Sequence, residues 1–198
     1  MGERVATAVE RSVWAFTERN PSLASLVIEE DAALNELQRR THELSYAAIL
    51  TQGPVASDLR EILSLLHMAG ELERMGDHCV SISKLARVLV DLPPPPTDGG
   101  LLDLSRLCTT QARDILDAVM HRDLSAARTV AAADDAIDAA YHALFDNLVR
   151  VMTADASTVY AATRMIFMAH HLERIGDRVT NIAEDLLFLE TGQIEELT

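Results

Sequence analysis

Leu72-Glu73-Arg74-Met75-Gly76-Asp77 returns one hundred residues later as Leu172-Glu173-Arg174-Ile175-Gly176-Asp177. A hexamer kept at a fixed offset is the mark of an internal repeat, and the match extends outward: Met68 answers Met168, Ala69 answers Ala169 and Ile82 answers Ile182. In the preceding segment Asp31-Ala-Ala-Leu34-Asn35 recurs as Asp134-Asp-Ala-Ile137-Asp138, where the offset is 134 − 31 = 103. The extra residues belong to a turn, Leu50 to Pro54 in one copy against Thr153-Ala154 in the other. Surface turns are where a duplicated unit tolerates a change of length.

The pattern around the hexamers is helical. From Arg4 to Arg19 the apolar positions Val5, Val9, Val13 and Phe16 recur at three- and four-residue steps, and Asn20-Pro21 ends the run as a cap followed by a first-turn proline. A second helix is expected from Pro21 to about Thr51, carrying Leu23, Leu26, Val27, Leu34, Leu37, Leu44 and Ala48, until Gly53-Pro54 breaks it. A third runs from Val55 to about Leu92. These two span about 45 and 55 Å at 1.5 Å per residue, so each needs partners of similar length. Four prolines and two glycines then interrupt the chain over residues 93–100. Beyond them helices are expected from Leu101 to about His121, from the N-cap Asp123 to about Met152, and from about Asp155 to Glu190, with Gly192 closing the last. The expected architecture is all-α: two tandem three-helix bundle repeats of long antiparallel helices, 1–92 and 101–198, joined by the 93–100 linker.

Composition agrees. Of the 198 residues 48% are hydrophobic and only 4% aromatic, which suits helices packed through small aliphatic side chains. The net charge of −14 would repel a phosphate backbone, so nucleic acid is excluded as a partner. Cys79 and Cys108 lie inside apolar helical patterns without metal or redox spacing and read as buried free thiols, in keeping with a reducing cytoplasm. No apolar run reaches the 18 or so residues of a spanning helix, so membrane contact is expected to be peripheral. Trp14 and Phe16 read as core or interface.

The chemistry lies in what both copies keep. Glu73 and Asp77 are four apart, as are Glu173 and Asp177, so each pair shares one helix face. Asp31 with Asn35, and Asp134 with Asp138, repeat that spacing on the neighbouring helix. Packed antiparallel, the two faces of each copy converge into an acidic patch. Oxygen donors in such number suit Mg²⁺, Ca²⁺, Mn²⁺ or iron, and zinc stays open. The plainer reading pairs Glu73 and Glu173 with Arg74 and Arg174 and leaves the remaining acids as a solvated face. Gly76 and Gly176, each costing about 1 kcal/mol inside a helix, mark either a close helix crossing or clearance for an ion. His67, His78, His170 and His171 are not repeated between the copies and read as ordinary histidines. No phosphate loop, nucleophile elbow or Glu-x-x-His pair is present, which weighs against an enzyme.

The hexamers, extended by Asp177-Arg178-Val179-Thr180-Asn181-Ile182-Ala183-Glu184, together with Pro54-Val55-Ala56-Ser57-Asp58-Leu59-Arg60, resemble the PhoU family over nearly the whole chain. That resemblance implies a cytoplasmic, non-enzymatic negative regulator of phosphate uptake and phosphate-starvation signalling. It further implies multinuclear metal clusters, iron or zinc first, with Mn, Mg, Ni or Ca admitted, held by the repeated Glu-x-x-x-Asp motifs. The partners it implies are the ATPase subunit of a phosphate ABC transporter and a sensor histidine kinase, with a homodimer expected. The expected ligands are Asp31, Glu73 and Asp77 in the first copy and Asp134, Asp138, Glu173, Asp177 and Glu184 in the second. A metal-dependent carboxylate-cluster enzyme and a metal-free helical adaptor are the alternatives. Two departures stand out: family members open with a longer first helix, so an upstream start is one expectation, and Lys84 and Ser81 replace the second copy's Glu184 and Asn181.

Overall fold

A computed structural model of the chain describes residues 1–93 and 99–197. Among them the ordered elements are helical: α1 (Gly2–Thr17), α2 (Pro21–Gln52), α3 (Ser57–Leu89), α4 (Gly100–His121), α5 (Leu124–Ala132), α6 (Asp134–Ala154), a 3₁₀ turn at Ala156–Thr158, and α7 (Val159–Thr191). Residues 94–98, the middle of the expected linker, lie outside the described residues.

The punctuation read from sequence acts as expected. Asn20 Oδ1 accepts from the Leu23 N–H at 3.0 Å, ahead of Pro21. Asp123 Oδ1 caps α5 by accepting from the N–H groups of Ser125 and Ala126. Gly53 and Gly192 end α2 and α7 at φ +56° and +71°, a left-handed conformation that glycine adopts without a Cβ penalty.

One element differs. The helix expected unbroken from Asp123 to Met152 is bent at Ala133, whose φ and ψ are −74° and −10°. The cause comes from α4. The buried Gln111 Nε2 donates both to the Val130 carbonyl, at 3.3 Å, and to Asp134 Oδ1, at 3.1 Å, so a side chain takes the place of a helix rung. Asp134 then opens α6.

The two expected three-helix repeats are present, α1–α3 and α4–α7 with α5 and α6 as the halves of one bent helix, and they pack against each other. α1, α3, α4 and α7 form a central layer, with α3 packed along α7 and α1 along α4, while α2 and the bent α5–α6 arm lie on opposite flanks. One continuous apolar core results, running from Val9 and Val13 through Met75 and Ile82 to Leu104, Met168, Leu172 and Ile182. Cys79 and Cys108 are buried free thiols within it, and burial pushes both well above the ordinary thiol range. Burying apolar side chains against each other from both copies is what stabilises the layer, at about 25 cal/mol per Å².

The flanks are less covered than the periodicity suggested. α2 buries Ala24, Val27 and Leu34, but its distal half leaves Leu44, Tyr46 and Leu50 exposed, and the adjoining Val55 and Leu63 are exposed as well. The other copy repeats this with Phe145, Val149, Val159, Tyr160 and Phe167. Trp14 is also about half exposed, so it is not a core residue.

The α3–α7 seam carries the polar links between the copies. The buried Glu71 accepts from Arg178 Nη1 at 3.2 Å and from Asn181 Nδ2 at 3.0 Å. Beside it His67 Nδ1 meets Asp185 at 2.7 Å. Burial pushes Asp185 up to about 6, the opposing pull of His67 being smaller. A carboxyl raised in the folded state contributes stability that is full below its unfolded value of 3.8 and is lost as the pH rises through about 6. Asp185→Asn keeps an acceptor for His67 but removes that titration. The variant's stability relative to wild type is therefore expected to increase from pH 4 to pH 7, read from urea midpoints; a flat difference would contradict the assignment.

Candidate metal centre

The first acidic patch forms where α2 crosses α3. Asp31, Glu73 and Asp77 lie close enough to perturb one another: burial, then the Asp77 carboxylate, raises Asp31, and burial followed by Asp77 and Asp31 raises Glu73. Asn35 Nδ2 donates to Asp31 Oδ2 at 3.0 Å, and Lys84 also favours the Asp31 charge. The other Asp31 oxygen, Oδ1, is buried with no hydrogen-bond partner. Gly76 makes the crossing possible, since a Cβ there would stand 2.3 Å from Leu34 Cδ2 and 3.1 Å from Asp31 Oδ1.

The second patch repeats this where α6 crosses α7. A Cβ on Gly176 would stand 2.5 Å from Asp134 Oδ1 and 3.3 Å from Ile137 Cδ1. Both glycines thus mark close helix crossings, where a Cβ would strike Leu34 and Asp31 in the first copy and Asp134 and Ile137 in the second. Burial raises Asp134, with Asp138 and Asp177 adding to it against the Gln111 hydrogen bond. Burial and then Asp177 raise Glu173. Asp134, Asp138, Asp177 and Glu184 line a groove of about 680 Å³ together with Asp135 and Glu196. Glu184, however, is engaged by the C-terminal segment, its Oε1 accepting from the Leu197 N–H at 2.9 Å.

The arginine pairing expected of a merely solvated face is realised only in part. Arg74 turns to Glu71 at 3.7 Å, not to Glu73, while Arg174 Nη1 meets Asp177 Oδ2 at 2.7 Å and His170 Nδ1 lies 3.3 Å from Glu173 Oε2. Glu173 Oε2 is buried and, that ion-pair contact apart, accepts no hydrogen bond. Among the described residues no group of three or more His, Cys, Asp and Glu side chains is already set to hold a metal ion. The donors thus fit a hard cation in chemical kind, in mutual repulsion and in their orphaned oxygens, but the shell is not closed.

Two of the histidines make a contact that their spacing in the sequence does not signal. His78 on α3 faces His171 on α7 with their Nδ1 atoms 3.1 Å apart. Burial foremost, then the other histidine and nearby arginines, holds His78 down to about 4, and burial lowers His171 as well. The hexamer offset of 100 relates this pair to the seam's ion pair: His171 answers Glu71, and His78 answers Arg178. Neither histidine is repeated at its equivalent position, so the repeat itself carries no sign of their contact.

Comparison with known proteins matches the architecture. The PhoU domain matches residues 1–86 and again 101–186. The phosphate-specific transport system accessory protein PhoU homolog of Xylella fastidiosa strain Temecula1 is 34% identical over 194 residues, covering 98% of this chain and 80% of its own length. The protein of the same name from Caulobacter vibrioides strain NA1000 is 35% identical, covering 100% and 86%. Crystal structures of PhoU from Pseudomonas aeruginosa and of the phosphate transport system regulatory protein PhoU from Streptococcus pneumoniae superpose with TM-scores of 0.94 and 0.89. They are 29% and 30% identical, and each alignment covers 98% of this chain and 93% or 91% of the other. With one matched domain in each copy and relatives above 30% identity along the whole length, the chain belongs to the PhoU family.

Proposed function

We propose that this protein is an accessory regulator of a phosphate-specific transport system that restrains phosphate-starvation signalling from the cytoplasmic side of the membrane. Family membership supports the regulatory role, and the names of its relatives supply the transport system. Among the described residues no helix is long and apolar enough to cross a membrane. On this reading the protein meets the transporter's ATPase subunit and a sensor kinase through helical faces, of which the bare apolar surface around Leu44, Leu50 and Val55 is the most available. The homodimer belongs to the same reading.

The metal part of the proposal rests on one observation. In each copy the carboxylates gather at a glycine-cleared crossing and leave a buried oxygen without a hydrogen bond. Asp31, Glu73 and Asp77, and Asp134, Asp138, Glu173 and Asp177, would hold the ions, with Glu184 outside the set while the C-terminal segment occupies it. Iron or zinc clusters come first, then Mn, Mg, Ni or Ca; a bound cation would neutralise carboxylates that otherwise repel one another. The core stands on its own apolar packing, so chelation is expected to lower stability without removing helical circular dichroism. Collapse of the helical signal on adding chelator would contradict that. Deleting the gene should raise phosphate-responsive transcription under replete phosphate, and unchanged transcription and uptake would overturn the regulatory assignment. Turnover of phosphate esters by the purified protein would instead favour the carboxylate-cluster enzyme.

A further inference from the structure

We propose that His78 and His171 form a second kind of metal site, a two-imidazole site for a borderline transition-metal ion such as Zn²⁺, Ni²⁺ or Cu²⁺, bridging the two copies. It lies outside the acidic patches and differs from them in donor chemistry. Imidazole nitrogen suits these metals, whereas the carboxylates favour hard cations.

The geometry is specific. Two exposed helical histidines turn Nδ1 back onto their own helix, His121 to the Asp117 carbonyl and His142 to the Asp138 carbonyl, each four residues earlier, and His67 turns its Nδ1 to the Asp185 carboxylate. His78 and His171 do neither. Their Nδ1 atoms point at each other at 3.1 Å across the seam, with ring centroids 5.3 Å apart and planes inclined by 45°. Two N–H groups cannot face one another at that distance, so one nitrogen presents a bare lone pair and a single proton holds the pair together. Once that proton is lost, both nitrogens offer a lone pair to the gap between the rings, and an ion seated beside the line joining them can take both. With metal–nitrogen bonds of about 2.05 Å, nitrogens 3.1 Å apart subtend roughly 100° at the metal, between the octahedral and tetrahedral values.

The surroundings permit a cation. Arg178 is committed to Glu71 and Arg174 to Asp177, so the two guanidinium groups near His78 are already balanced by carboxylates. Both histidines are only half-buried, which leaves the remaining coordination positions to water. Because one ligand comes from α3 and the other from α7, binding would fix the relative position of the copies at the place where the other side of the seam uses the Glu71–Arg178 ion pair.

Copper titration of the chelator-treated, full-length protein, read by electron paramagnetic resonance, tests this. Wild type is expected to show a Cu²⁺ signal with splitting from two nitrogens, beside any oxygen-only copper held by the acidic patches. The splitting should be lost in His78→Gln and in His171→Asn, and should persist in His170→Ala and in a variant carrying Glu73→Ala, Asp77→Ala, Glu173→Ala and Asp177→Ala. A wild-type signal with oxygen donors only would overturn the proposal, as would two-nitrogen splitting that survives both histidine substitutions. Circular dichroism establishes that each variant is folded. Should His78→Gln fail to fold, loss of the splitting in His171→Asn alone carries the conclusion, and its survival there refutes it.

Discussion

Glu71→Ala is expected to lower the stability of the fold by about 3–5 kcal/mol, the usual loss when one partner of a buried ion pair is removed. Glu71 is 3% exposed and stands on the seam between the copies. Its Oε2 accepts from Arg178 and Asn181, while Arg74 and His67 approach the other oxygen at 3.7 and 4.0 Å. The Arg178 side chain is 14% exposed, and its Nε already lacks a partner. Truncating Glu71 leaves that guanidinium buried with nothing opposite it. The exposed Glu36–Arg39 pair on α2 is the control, because solvent screening leaves such pairs little net effect on stability. Urea unfolding of Glu71→Ala beside Glu36→Ala makes the comparison, and similar small losses in both would show that the seam does not depend on Glu71.

The second large effect concerns which acidic patch takes metal first. The C-terminal patch gathers Asp134, Asp138, Glu173 and Asp177 beside an open groove. The N-terminal patch has three acids, with Asn35 neutral and Lys84 opposing a cation near Asp31. Its cavity beside Asp31 and Gly76 is about 20 Å³, room for about one water, against about 680 Å³ in the C-terminal groove. Cations offset part of the charge in both patches, Arg174 and His170 in the C-terminal one and Lys84 and Arg74 in the N-terminal one, but four carboxylates still attract a multivalent ion better than three. Glu173→Ala with Asp177→Ala is therefore expected to remove more bound metal than Glu73→Ala with Asp77→Ala. Equal losses, or a larger loss from the N-terminal pair, would refute the ordering.

How much of this was legible in the sequence depends on whether the cause was local. Caps such as Asn20, Asp123 and Gly192 act on their own helices, and the paired hexamers carry their own spacing, so helices and acidic patches could be read directly. The bend at Ala133 could not, because it is imposed by Gln111 from another helix. The exposed distal half of α2 escaped for a related reason: periodicity reveals an apolar face but not whether the chain supplies something to cover it. The seam was hidden most effectively. An interface between two copies of one unit requires complementary residues, so Glu71 against Arg178 and His78 against His171 look, in the alignment of the copies, like places where the repeat has lapsed.

The central claim is that the repeated carboxylates are a metal-holding device in each copy. Elemental analysis of the purified full-length protein beside the folded variant carrying Glu73→Ala, Asp77→Ala, Glu173→Ala and Asp177→Ala tests it most directly. Wild type is expected to retain iron, zinc or another multivalent metal through gel filtration, and the variant to lose most of it. Equal metal content in the two proteins, or none in wild type after reconstitution with each candidate ion, would contradict the account.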